Sequence, residues 1–128
     1  MATETRTESP QKQISRGIVF IYKDYLGRGP TRARTTITDT FVTTLLEDSM
    51  TKAEKRLVDQ GDEDIVRAVR RKFQEAMSRE VIDLVEATTG RRGETMLSDH
   101  DVQNDIAVET VIFTDEVTTN GVAPAGSS

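Results

Sequence analysis

GRGPTRARTTI (27–37) decides how this chain folds, because a helical pattern stops there and a strand pattern begins. Gly27 can end a helix in the left-handed conformation, and Pro30 cannot continue one. Upstream, Ile14, Ile18, Ile21, Tyr22, Tyr25 and Leu26 recur at three- and four-residue spacing. That is one face of a helix over about 11–26. Downstream, ARTTIT and FVTTLLE are rich in Thr, Ile, Val and Phe, the residues of a pleated surface. They read as strands 34–38 and 41–47 joined by a tight turn at Asp39 and Thr40. No glycine marks that turn, so one long strand is the alternative.

Further along, Thr51-Lys52-Ala53-Glu54 matches a capping box, so a short helix is expected from Lys52 to about Gln60, stopping at Gly61. Asp62 is placed to cap a longer helix that stops at Gly90. Its apolar face reads as Ile65, Val69, Phe73, Ala76, Met77, Val81, Leu84 and Val85. At 1.5 Å per residue it is ~40 Å long, more than a small sheet can cover. Its excess end should overhang or pack against a second copy, which points to a homodimer. Arg67, Arg71, Glu75 and Glu86 also fit a plain solvated face. Thr95, Met96 and Leu97 read as a short strand, 98–105 as a polar loop, and 106–114 as a strand alternating through Ile106, Val108, Thr110 and Ile112. The order α-ββ-α-α-ββ predicts an α+β domain over 11–114. Its sheet is small and antiparallel, with three to four strands and helices on one face. Residues 1–10 and 115–128 carry no apolar pattern and read as disordered tails.

Composition excludes several chemistries. The net charge is -5, and Glu4, Glu8, Asp115 and Glu116 against Arg6 put -3 of it in the tails. The domain is left mildly acidic, which argues against nucleic-acid binding. There is no cysteine, so disulfides, thiolate catalysis and Cys-based zinc sites are excluded. His100 is the single histidine, which excludes a His-rich metal site. Apolar runs such as 18–21 are far too short to cross a bilayer, and no basic-then-apolar leader opens the chain. We expect a cytoplasmic protein with no cofactor and no bound metal. It would not insert into a membrane directly, and a partner would hold it at one.

Three groups of residues carry potential chemistry. Arg28, Gly29, Thr31, Arg32 and Arg34 form the first, at the helix–strand junction. Backbone N–H groups and guanidiniums there can hold a phosphate, carboxylate, bicarbonate or nucleotide, and strand alternation puts Arg32 and Arg34 on one face. The plainer alternative is a C-cap and turn whose arginines pair with Asp24 or Glu47. No P-loop or dinucleotide fingerprint is present. The second group is Ser98, Asp99, His100 and Asp101 with Asn104 and Asp105. It can hold a divalent or sodium ion or act as acid and base, yet it lacks EF-hand spacing and also suits an ordinary hairpin loop. The third is Arg67, Arg70 and Arg71, which can dock an acidic partner or lipid headgroups. Glu63, Asp64, Glu75 and Glu80 stand at ion-pair distance along the same helix and offer the simpler explanation. None of the three groups is assigned as catalytic.

The segments IVFIYKDYLGRGPTRARTTI, MTKAEKRLV, VRRKFQEAM and LSDHDVQNDIAVETVIF together resemble a small bacterial family. That family was first filed as a domain of unknown function. It is now named for the C subunit of a Na+-translocating membrane-potential-generating system. The resemblance covers about 11–114 and rests on GRGPT-x-AR, T-x-AEK and LSD in that order. It implies a soluble protein associated with ion or bicarbonate transport and no catalytic residues to carry over. We therefore expect a non-enzymatic accessory protein with membrane transport subunits as partners.

Overall fold

The computed structural model describes residues 8–114. It is an α+β fold of three helices and one four-stranded antiparallel sheet. The elements are α1 (Pro10–Leu26), β1 (Arg32–Ile37), β2 (Phe41–Glu47), α2 (Lys52–Asp59), α3 (Glu63–Thr89), β3 (Gly93–Asp101) and β4 (Ile106–Phe113). The order α-ββ-α-α-ββ is the one expected. Apart from residues 8–10, the expected tails lie outside the described residues. Ser9 caps α1 by accepting from the Lys12 N–H at 3.2 Å, with Pro10 at the first helical position.

The junction is built as its residues require. Gly27 ends α1 at φ 85°, where a side chain would be strained, and its N–H bonds the Lys23 carbonyl. β1 then begins at Arg32, two residues earlier than expected. It turns back at Thr38, so the first sheet segment is a hairpin and not one long strand. The Thr38 hydroxyl closes the turn. Its Oγ1 accepts from the N–H groups of Thr40 and Phe41 at 3.2 and 3.1 Å. This side-chain turn replaces the missing glycine.

The strands lie in the order β1-β2-β4-β3. Helices α1 and α3 cover one face of this sheet. Ile14, Ile18 and Tyr22 of α1 and Met77, Val81 and Val85 of α3 pack there on Val42, Leu46, Ala107 and Val111. The threonine-rich hairpin divides cleanly. Thr35 and Thr44 face the helices and form a hydroxyl chain with Ser15, at 2.7 and 2.8 Å. Thr43 and Thr110 pair at 2.7 Å on the uncovered face.

Three expectations need correction. In α3 the buried stripe is Val66, Arg70, Gln74, Met77, Val81 and Val85, while Ile65 and Val69 are 52% and 41% exposed. Two polar residues on the buried stripe shift the apparent apolar face by one position. In β4 the helix-covered face is Ala107, Glu109, Val111 and Phe113, and the alternation through Ile106, Val108, Thr110 and Ile112 lies on the open side. Asp62 occupies the N-cap position of α3 without making a side-chain capping bond. The front of α3 does not simply overhang. Val66 packs with Met50 and Val102 in a second small core, flanked by Leu57 and Val58 of α2.

Gly17 sets how closely α1 approaches α3. A Cβ built there falls 2.5 and 2.8 Å from the two methyls of Leu84. Gly17→Val should therefore cost about 1–3 kcal/mol through overpacking. Phe20→Ala, one turn on but 69% exposed, should change stability by less than about 0.5 kcal/mol. Urea unfolding of the two variants checks which side of α1 meets α3.

Candidate functional site

The three residue groups singled out above converge on a segment that none of them contains. Asp48, Ser49 and Met50 link β2 to α2. Ser49 is fully buried and Met50 is 3% exposed, so their backbone polar groups must find partners inside the protein. Arg28 reaches in from the α1–β1 loop. Its NH1 donates to the Met50 carbonyl at 2.6 Å, and its NH2 donates to Asp48 at 3.4 Å. Arg70 reaches in from α3 and donates to the Ser49 carbonyl at 2.8 Å and the Ser49 hydroxyl at 3.0 Å. Asp105 arrives from the β3–β4 turn, where its Oδ2 accepts from the Met50 N–H at 2.9 Å and its backbone carbonyl accepts from the Asp48 N–H at 3.0 Å.

Each arm of this clamp has its own counterpart. Arg70 is 1% exposed, and Glu54 pairs with its Nε at 2.7 Å and its NH2 at 3.0 Å. Glu54 also completes the Thr51 capping box, so one carboxylate ties α2 to α3. Burial works to raise the Glu54 pKa, but the bonds from Arg70 and Thr51 prevail and hold it below the usual value. Asp105 sits at φ 54° and accepts from His100 Nε2 at 3.0 Å. Burial would raise its pKa too, yet the bonds from His100, Met50 and Ser49 bring it down to about 2. Asp48, at φ 61°, is lowered first by its bond to Arg28.

A second polar cluster lies beneath α3, on the covered face of the sheet. Glu109 is 2% exposed and accepts from Tyr22, from Ser98 and, at 3.1 Å, from Gln74. Burial raises its pKa against the pull of those donors. Burial, and then the neighbouring Glu109, raise that of Tyr22. Gln74 Nε2 also donates to the Asp99 carbonyl at 3.1 Å. An acidic residue in a core strand was hidden in the sequence by the apolar residues around it. Only the three donors, drawn from three different elements, explain its place.

The residues expected as a polar loop are mostly strand. Ser98, Asp99, His100 and Asp101 belong to β3, and strand alternation separates them. Ser98 and His100 face the helices, with His100 4% exposed, while Asp99 and Asp101 face the open side. They do not converge on one ion, and no described group of three acidic or histidine residues could hold a metal. His100 Nδ1 has no hydrogen-bond partner. Of the basic segment, Arg70 points into the core and leaves the helix surface. Arg67 pairs with Glu63 and with Asp64 at 3.1 Å, and Arg71 is exposed. At the junction, the Thr31 N–H bonds the Glu47 carbonyl at 3.0 Å, and Gly29 lies against Val19. Arg32 and Arg34 share the open face, each within 4 Å of Glu47, at 3.9 and 3.7 Å. Arg34 also borders a groove of ≈ 640 Å³ between α1 and β1, together with Lys12, Ser15 and Arg16.

The clamp makes stability depend on charge. Arg70→Met should cost about 3–5 kcal/mol, because Glu54 and the Ser49 carbonyl lose their buried partner. Asp105→Asn keeps the side-chain shape but not the charge. A carboxylate whose pKa falls from 3.8 to about 2 on folding stabilises the fold above the unfolded value. The variant should therefore lose about 2 kcal/mol near neutral pH. The gap to the native chain should close as pH falls from about 4 towards 2. Urea midpoints of both proteins at a series of pH values check this.

Comparison with known proteins adds a family. Searches among curated proteins and among solved structures return no match. The model of one family does match, under the description "Na+-translocating membrane potential-generating system (MpsC)", across residues 6–115. With that match over nearly all of its length, the chain belongs to the MpsC family.

Proposed function

We propose that this protein is a non-catalytic accessory component of a Na+-translocating, membrane-potential-generating system. It works at the cytoplasmic side of the membrane, where membrane-embedded subunits hold it. The observation that carries this reading is the direction of its reactive side chains. Arg70, Glu109 and His100 are 1%, 2% and 4% exposed, and each bonds to neighbours inside the fold. These three buried groups thus serve the interior, which supports a surface used for contact with other proteins. The family supplies the assembly in which that contact takes place. No described helix is long and apolar enough to cross a membrane, and in this reading a partner provides the anchorage.

A second reading is favoured by the groove between α1 and β1. Lys12, Arg16 and Arg34 outnumber the one acidic residue on it, Glu8, which pairs with Arg16, and Ser15 and Thr35 add hydroxyls. A small anion or a nucleotide bound there would make the protein a sensor. Phosphate, bicarbonate or ATP should then raise the melting temperature, and Arg34→Ala should abolish the rise.

Affinity purification from gently solubilised native membranes separates the two. The accessory reading expects integral membrane transport subunits to co-purify, and to be lost when the surface residues Arg67 and Arg71 are changed to Glu. Recovery of the bait alone would sink it.

A further inference from the structure

The uncovered face of the sheet carries a charge pattern that runs from one edge to the other. It is held within the chain by the approaches of Arg32 and Arg34 to Glu47, at 3.9 and 3.7 Å, and by the bonds of Asn104 to Asp101. Two rungs of side chains cross all four strands. One runs Arg32, Glu47, Ile106, Asp101, and the next runs Arg34, Leu45, Val108, Asp99. Each rung starts with an arginine on the β1 edge and ends with an aspartate on the β3 edge, at the same level along the strands. A third rung, Thr36, Thr43, Thr110, Leu97, is uncharged. Apolar side chains on the two central strands reach solvent, Leu45 at 42% and Ile106 at 40% exposed, and Leu97 on the β3 edge is 59% exposed. The hydroxyls of Thr43 and Thr110 satisfy each other, so they can be covered without losing a partner. An apolar centre with a charged rim is the composition of a protein interface.

We propose that this face seats a second copy of the same chain. The two sheets pack about a two-fold axis parallel to the strands, midway between β2 and β4. Such an axis lays the β1 edge of one copy over the β3 edge of the other and keeps every rung at its own level. Arg32 then faces the partner subunit's Asp101, and Arg34 faces the partner subunit's Asp99, twice over by symmetry. A two-fold axis across the strands would instead set β1 on β1 and put like charges together, which disfavours it. Aligned sheets pack about 10 Å apart at a crossing near 30°. Leucine and isoleucine fill that gap at the centre, and arginine side chains are long enough to bridge it at the rim. The lone charge inside either rung is Glu47, which lies 3.9 Å from Arg32 and 3.7 Å from Arg34 of its own chain, so one carboxylate stands against two guanidiniums and the β1 edge stays net basic.

Sedimentation velocity of the full chain over a wide concentration range tests this. The native protein should dimerise. Arg34→Glu and Asp99→Arg should each weaken the dimer about tenfold or more, because each sets like charges opposite one another. The double variant restores opposite signs and should recover most of the loss. Circular dichroism of each variant establishes that it is folded. A native chain that stays monomeric throughout would overturn the proposal. So would a dimer indifferent to both single changes, as expected if copies met through Ile65 and Val69 on α3. Failure of the double change to rescue would rule out the parallel two-fold arrangement.

Discussion

The rest of the structure depends on satisfying one short segment that belongs to no helix or strand. Asp48, Ser49 and Met50 carry the chain from the sheet to the helical layer, and Ser49 and Met50 are buried. Arg28, Arg70 and Asp105 supply the partners, one each from the α1–β1 loop, from α3 and from the β3–β4 turn. Because every arm ends on the same short segment, the positions of these elements are not independent. The charges in the clamp are themselves compensated, Arg70 by Glu54 and Asp105 by His100. A buried ion held this way adds little net stability over an apolar packing of the same shape, but removing one member leaves the other exposed to a low dielectric. The clamp is therefore better understood as fixing where things go than as the main source of stability, which comes from the apolar core between sheet and helices.

Strand alternation explains why the polar residues of β3 and β4 have such different fates. Neighbours in sequence go to opposite sides, so Ser98 and His100 join the interior network while Asp99 and Asp101 stay in water. The same rule splits the threonines, half of them linking α1 to the hairpin and half lining the open face. A run that looks like a cluster on paper is, in a strand, two separate populations.

Much of the architecture was legible from the sequence because it rests on local rules. Gly27, the Thr51–Glu54 box and Gly90 mark helix ends through backbone geometry that acts over a few residues. The faces were harder. Arg70, Gln74 and Glu109 are polar residues at core positions, and each is tolerated only because partners distant in sequence satisfy it. Periodicity counts apolar residues and so passes over such positions, which is why the buried sides of α3 and β4 were displaced. The turn at Asp39 and Thr40 was expected even without a glycine, but not that the Thr38 hydroxyl would do the work usually left to one. The clamp itself left no trace, as nothing in Asp48-Ser49-Met50 marks it as a meeting point.

The pairing of β2 with β4 has a kinetic meaning. Each hairpin closes a short loop, but the contact between the two hairpins closes residues 48–105, a chain that includes both α2 and α3. Bringing the ends of so long a loop together costs roughly 3–4 kcal/mol of entropy before any contact between them is rewarded. The middle of the sheet is thus, with the packing of α1 on β4, among the least local parts of the fold, and its formation should govern the rate at which the chain reaches its native state. Until it forms, neither hairpin has a complete core to lie against, and the two halves of the molecule must fold together.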